Sequence, residues 1–341
     1  MNTPNTTDFG YYVTKYLADY LPNQTGARKN TLLAYRDTIS VLLEYLEKVR
    51  RMPSDKITVA QIDGKLVAEF LQWLQTSRKY SVSSRNHRLA VLRAFFKFLQ
   101  DQDPKYLSAC QSVLGVKFKK TGAKPPEFLT KEAVAALLDE PDVGTPDHYR
   151  DLTMLTLMYD TGARVSEIVA LRACDVKLND FPSITLTGKG DKTRNVPVMA
   201  RTAEMLERYI ATLGLNDWQL REPLFRNHMQ QKLTRNGVTY ILSKYADQVR
   251  KKHPILLPDK VSPHMLRHSK AMHMVQSGVN IIYIRDFLGH SSIKATEIYA
   301  RADGEMKRAA IARAGNEKII SRRQSWNNDV GLMAWLKACG K

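Results

Sequence analysis

Apolar residues recur at helical spacing along most of this chain, and that periodicity constrains its fold more than any other feature of the sequence. Leu32, Leu33, Tyr35, Ile39, Leu42, Leu43 and Leu46 follow the pattern of one helix face. Residues 9–48 therefore read as two helices, with Pro53 ending the stretch. Ile57 and Thr58 open a further segment that sets Ile62, Leu66, Phe70, Leu71 and Leu74 on one face. A fourth helix over 83–100 carries Leu89, Leu92, Phe95, Phe96 and Leu99. The expectation is an all-helical first domain over residues 1–115. At 341 residues the chain has room for a second.

The second half reads differently. Helices are expected over 130–139 behind Thr130, over 148–160 with a stop at Gly162, and over 164–171. Residues 183–187 and 193–198 alternate as strands, and Gly188, Lys189, Gly190 and Asp191 between them have the composition of a hairpin turn. Helices dominate from 200 onward. The fold class is therefore mainly α with a small antiparallel β-sheet.

Lysine and arginine number 52 against 34 acids, a net charge of +18. Such an excess points to a polyanionic partner, nucleic acid ahead of an acidic membrane face, the plainer reading being a well-solvated basic surface. No apolar run reaches the ~18 residues of a membrane span, and the polar N-terminus does not read as a signal peptide. Cys110, Cys174 and Cys339 are scattered, which disfavours a disulfide framework or zinc ribbon and fits a reducing compartment. From 75 to 100 there are six basic residues (Arg78, Lys79, Arg85, Arg88, Arg93 and Lys97) and no acid. They read as a face laid against phosphates, with Ser81, Ser83, Ser84 and Asn86 as neutral donors, rather than as a merely solvated face. Residues 116–126 read as a basic linker, and its Lys117, Lys119, Lys120 and Lys124 are expected to run along DNA.

Five short pieces could carry chemistry. In TGARVSE (161–167), Arg164 opens a helix after a glycine stop, where a guanidinium can join the helix amides in holding a phosphate. Lys189 at the hairpin tip can reach into a groove; its GKG lacks the spacing of a phosphate-binding loop and leads into a strand. In SPHMLRH (262–268), Ser262 suits an N-cap and Pro263 the first helical position. His264 and Arg267 then share a face and can address one anion. His264 and His268 are spaced like a zinc pair, but the HExxH glutamate is missing, so no metal is expected. His268 and His273 read as packing or buttressing residues. Gly289 ends a helix over 280–288 and holds His290 at a corner. Tyr299 lies about two turns into a helix starting near Ser291. Each piece alone has an ordinary structural explanation, Tyr299 as a core aromatic among them.

In that order, Arg…Lys…HxxR…GH…Tyr resembles the tyrosine recombinases, or phage-type integrases. The phrases TGARVSEIVAL, GKGDKTRNVPV, PHMLRHSKAMHM and LGHSSIKATEIYA look like that family's motif blocks, as does the nine-residue step from His290 to Tyr299. The resemblance covers 127–301 as a catalytic domain of the DNA breaking-rejoining fold and, more loosely, the first domain as a helical core-binding domain. It implies that Arg164, Lys189, His264, Arg267 and His290 are catalytic, that Tyr299 is the nucleophile and that Glu167 supports the site. Arg301 stands where many members have a histidine, and Glu297 is less usual; both bear on how the tyrosine helix docks.

These residue types suit phosphodiester chemistry. Two arginines can neutralise the non-bridging oxygens and stabilise a five-coordinate transition state, so no metal or other cofactor is expected. Tyrosine, with a reference pKa of about 10, needs nearby positive charge and a base. His264 is the candidate for that proton work, His290 for bonding the phosphate, and Lys189 for protonating the leaving 5′-oxygen. The resemblance further implies a 3′-phosphotyrosine, a Holliday junction, and a homotetramer on double-stranded DNA with a dimer per site, in the cytoplasm at the nucleoid. The alternatives are DNA relaxation of the type IB topoisomerase kind, and a DNA-binding protein with a lapsed active site, against which all six catalytic positions being occupied argues. The tail, 302–341, is too apolar to be free and is expected to dock on a neighbouring protomer, packing in cis being the alternative. With no arm-binding domain before about residue 9, a Xer-like or simple mobile-element integrase is expected.

Overall fold

A computed structural model describes residues 7–122, 126–188, 190–217, 219–290, 292–302 and 330–339. The chain divides into two compact units, Met1–Ala123 and Lys124–Lys341, the cut falling within the stretch read as linker.

In the first unit, α1 (Asp8–Lys15) starts where the Thr7 hydroxyl accepts from the Gly10 amide. It runs on into wider, i→i+5 turns over Tyr16–Gln24, which take in Pro22. Then come α2 (Lys29–Lys48), α3 (Gly64–Thr76) and α4 (Val82–Gln100). Ile57 and Ile62 are buried as their spacing suggests, yet they precede α3, whose start is set by the Asp63 carboxylate accepting from the Leu66 amide at 2.8 Å. An unanticipated helix, α5 (Leu107–Leu114), packs so close to α3 that a Cβ on Gly64 would lie 2.4 Å from the Ser112 carbonyl oxygen. Phe9, Tyr16, Phe95 and Phe98 join the core of this unit.

The basic helix α4 encloses one of its arginines. Arg85 is only 6% exposed, and its Nη1 donates to the Lys117 carbonyl and to Asn86 Oδ1, each at 3.0 Å. Asn86 in turn exchanges hydrogen bonds with the backbone of Lys119. Arg85 and Asn86 therefore strap the start of the stretch read as linker onto α4. Arg88 pairs with Asp37 and Thr38, Arg78 with Glu44, and Arg93 lies over the Phe118 ring. Lys79, Lys97, Lys117, Lys119 and Lys120 are exposed; Lys124 lies outside the described residues.

The second unit begins with α6 (Lys131–Leu138), capped by Thr130, and α7 (Pro146–Thr161), which ends at Gly162 with φ +57°. The helix read at 164–171 is one turn, α8 (Val165–Ile168). A three-stranded antiparallel sheet follows, in the order β1 (Val176–Lys177), β2 (Ser183–Thr187), β3 (Thr193–Pro197). Thr187 pairs with Thr193 and the Gly188 amide donates to the Lys192 carbonyl, closing the hairpin; Lys189 itself lies outside the described residues. Next are α9 (Ala200–Leu213), α10 (Arg235–Lys252), α11 (Pro263–Gln276), α12 (Ile281–Leu288) and α13 (Lys294–Ala302). Ser262 does stand before α11, but its side chain makes no capping hydrogen bond. Beyond Ala302 the described residues are 330–339, of which Val330–Ala338 form α14. The main core of this unit lies among α6–α10 and the sheet, while Ala271, Met272, Val275, Ile284 and Leu288 form a smaller one around Tyr299.

Candidate active site

The site is built around the C-terminal end of α12. A helix ends with unsatisfied carbonyls and a negative dipole, and here three guanidiniums from three elements meet that end. Arg194 on β3 donates from Nε to the Phe287 carbonyl at 3.1 Å. Arg267 on α11 donates from Nη2 to the Leu288 carbonyl at 2.7 Å. Arg164, at the start of α8, donates from Nη2 to the Gly289 carbonyl at 3.2 Å. Arg267 also donates to the carbonyl of Gly162, the glycine that ends α7, at 2.6 Å. The two glycine stops legible in the sequence thus supply two of the four carbonyls that aim the arginines, Gly289 for Arg164 and Gly162 for Arg267.

One carboxylate balances this cluster. Glu167, 3% exposed, accepts from the Arg164 amide, from Arg164 Nη1 and from both terminal nitrogens of Arg194, at 2.8–2.9 Å. Burial alone would raise its pKa, but the Arg194 and Arg164 bonds prevail and hold it at about 2. Arg267 is equally buried, and burial with the nearby Arg164 brings its pKa down to about 10, which leaves it charged at neutral pH.

The histidines divide into distinct settings. His290 follows the α12 stop, and its Nδ1 is 2.8 Å from the buried Thr296 hydroxyl. Burial, then Arg267, Arg164 and Arg194, push its pKa down to about 4, so the imidazole is neutral at physiological pH. His264 is exposed at the start of α11, its pKa lowered by partial burial and then by Arg267 and Arg164. His268, one turn on, stacks near it with ring centroids 6.3 Å apart. For His268, read in the sequence as a packing or buttressing residue, the contact is specific: its Nδ1 lies 2.7 Å from the Tyr299 hydroxyl. Its neighbour His273 bonds the Tyr159 hydroxyl and is buried, which is a packing role.

Tyr299 is on the second turn of α13 and only 1% exposed. Burial raises its pKa, opposed by Arg267 and then Arg164. The His290 ring lies 6.4 Å from its ring, nearly parallel. Nine residues of chain thus return to one place because Gly289, with φ +65°, turns the chain and α13 starts only at Lys294. Arg164, Arg267, His264, His290 and Tyr299 are gathered together, with Glu167 beneath them.

Residues 127–306 match the phage integrase family, and residues 13–103 match its N-terminal SAM-like domain. The chain belongs to the phage integrase family of tyrosine recombinases. It is 32% identical to y4rC of Sinorhizobium fredii, over 93% of this chain and 94% of that protein. It is also 32% identical to tyrosine recombinase XerC of Roseiflexus castenholzii, over 84% of this chain and 87% of the relative. In structure it resembles the XerH site-specific recombinase bound to a palindromic difH substrate after cleavage, with a TM-score of 0.67 at 22% identity and 92% of each chain covered. That likeness is one of fold.

Arg194 carries no signal of its own in the sequence, and the signal of His268 stops at packing or buttressing. Arg194 pairs with Glu167 27 residues away and His268 with Tyr299 31 residues away, separations at which no local spacing signals contact. An arginine beginning the second hairpin strand and a histidine directly after HxxR were the available cues.

Proposed function

We propose that this recombinase cleaves and rejoins DNA at specific sites, with Tyr299 forming a 3′-phosphotyrosine and strands exchanging through a Holliday junction. The observation that carries this reading is the cluster of Arg164 and Arg267, oriented by helix-end carbonyls beside Tyr299. Fixed guanidiniums stabilise the charge of a five-coordinate phosphorus without reorganising during the reaction. Neutral His290, held by Thr296, donates to a phosphate oxygen, and exposed His264 faces the same anion. Lys189, on the motif match alone, protonates the leaving 5′-oxygen. Glu167 supports Arg164. Recombination is favoured over relaxation by the likeness to XerC.

The partner is double-stranded DNA, bound as a dimer per site and a homotetramer per synapse, as an extension from XerH on its palindromic substrate. Exposed Lys79 before α4, Lys97 on it, and Lys117, Lys119 and Lys120 of the strapped segment contribute phosphate contacts. No helix among the described residues is long and apolar enough to cross a membrane; the setting proposed is the cytoplasm, on nucleoid DNA. The tail over 302–341 docks on a neighbouring protomer, a reading supported by α14, whose Trp335 is 59% exposed. Deleting 316–341 should then abolish paired-site products; unchanged recombination would exclude the trans contact.

The decisive experiment incubates the protein with a library of duplexes, traps covalent complexes and sequences the attached ends. Wild-type protein should yield one recurrent junction. Tyr299→Phe should yield no adduct, and an adduct from that variant would remove Tyr299 as nucleophile.

A further inference from the structure

The atom that attacks phosphorus in the function proposed above is the Tyr299 phenolic oxygen, and it sits 2.7 Å from His268 Nδ1. His264, by contrast, is exposed a turn away on the same helix. We propose that His268, and not His264, takes the phenolic proton of Tyr299 as it attacks DNA. The inference rests on the recombinase reading and sharpens it to one proton transfer.

Both partners are firmly placed. Tyr299 packs into the small core with Met272, Ile284 and Leu288. His268 stands between two buried anchors on α11. Arg267 is held by the carbonyls of Gly162 and Leu288. Ser269 donates to the Met265 carbonyl and accepts from the Leu129 amide, each at 2.8 Å. A proton acceptor must start neutral, and burial, then His264 and Arg267, favour the neutral form of His268. The step balances. As the Tyr299 oxygen bonds to phosphorus, its proton passes to His268 Nδ1, the bond from phosphorus to the 5′-oxygen breaks, and that oxygen takes a proton from the acid assigned to Lys189. Rejoining reverses each transfer, with imidazolium returning the proton to Tyr299.

The test uses the full chain and a nicked suicide duplex built on the junction recovered by covalent trapping. His268→Asn keeps an acceptor near the Nδ1 position but cannot carry the proton away. It should slow single-turnover cleavage by roughly 100-fold, the usual scale of general-base catalysis. Replacing Tyr299 by fluorinated tyrosines of progressively lower phenol pKa should shrink that deficit stepwise, because a phenol already ionised needs no base. A merely structural role for His268 would leave the ratio constant. Cleavage within about threefold of wild type, or a deficit indifferent to fluorination, overturns the proposal. A separate measurement needs no DNA. In 3-fluorotyrosine-299 protein, the 19F resonance should shift between wild type and His268→Ala, and an unchanged resonance would deny the contact. If wild-type protein forms no adduct with any duplex, the recombinase reading fails, whereas the resonance still reports on His268.

Discussion

Glu167 is the residue on which the site's electrostatics turn. Its carboxylate lies beneath two arginines that would otherwise repel each other in a buried setting. Holding its pKa at about 2 in place of the ordinary 4.5 contributes on the order of 3 kcal/mol of stability. The folded pKa is depressed, so this contribution is complete above about pH 4.5 and is lost as pH falls toward 2. Glu167→Gln should therefore lower the stability of the second unit by about 3 kcal/mol at neutral pH in denaturant unfolding, since it leaves two charges unpaired. The gap to wild type should narrow steadily on acidification from about pH 4.5, and a gap independent of pH would contradict this account of Glu167. Little of this was legible in the sequence beyond the acid three residues after Arg164. Arg194, its second partner, comes from a strand whose own alternation says nothing about a helix start 27 residues earlier.

At the scale of elements, helix ends do the positioning. Gly162 and Gly289 were readable as stops because each follows an apolar helical stretch. Their second role, presenting carbonyls to Arg267 and Arg164, requires knowing where three distant elements meet. Gly289 adopts φ +65°, and a Cβ there would lie 2.9 Å from Arg194 Nη1 and 3.0 Å from its Cδ. That guanidinium cannot swing aside without releasing Glu167 and the Phe287 carbonyl. Gly289→Ala should accordingly cost more than the ~1 kcal/mol usual for lost glycine freedom, about 2–3 kcal/mol once backbone strain is added. Calorimetric unfolding of the variant checks it, and a loss under 1 kcal/mol would mean that Arg194 yields freely. Periodicity served well for long amphipathic helices and poorly for short pieces. The eight residues of α5 and the two of β1 present too few positions for a pattern, and the turns over 54–61 imitate a helix because Ile57 and Ile62 happen to be buried.

For the molecule as a whole, the excess of 18 positive charges sets a salt dependence that can be dissected residue by residue. Each cation that neutralises a phosphate contributes about −0.9 to the slope of log affinity against log salt on duplex DNA. Composition made the whole basic stretch over 75–100 look equivalent, but burial separates its members. Lys97 is exposed on α4 and Lys120 is exposed just beyond the strap, whereas Arg85 is enclosed and bonded to the Lys117 carbonyl. Lys97→Ala and Lys120→Ala should each reduce the magnitude of the slope by up to about 0.9 and leave thermal unfolding unchanged. Arg85→Ala should do the reverse. Its loss frees the Lys117 carbonyl and removes a packed side chain, which lowers stability by about 1–3 kcal/mol with no change in slope. Filter binding across a salt series, paired with unfolding curves for the same three proteins, separates the two effects. Should Arg85→Ala flatten the slope as much as Lys97→Ala while unfolding as wild type does, the guanidinium reaches phosphate after all. The strap would then have to detach from α4 when DNA binds.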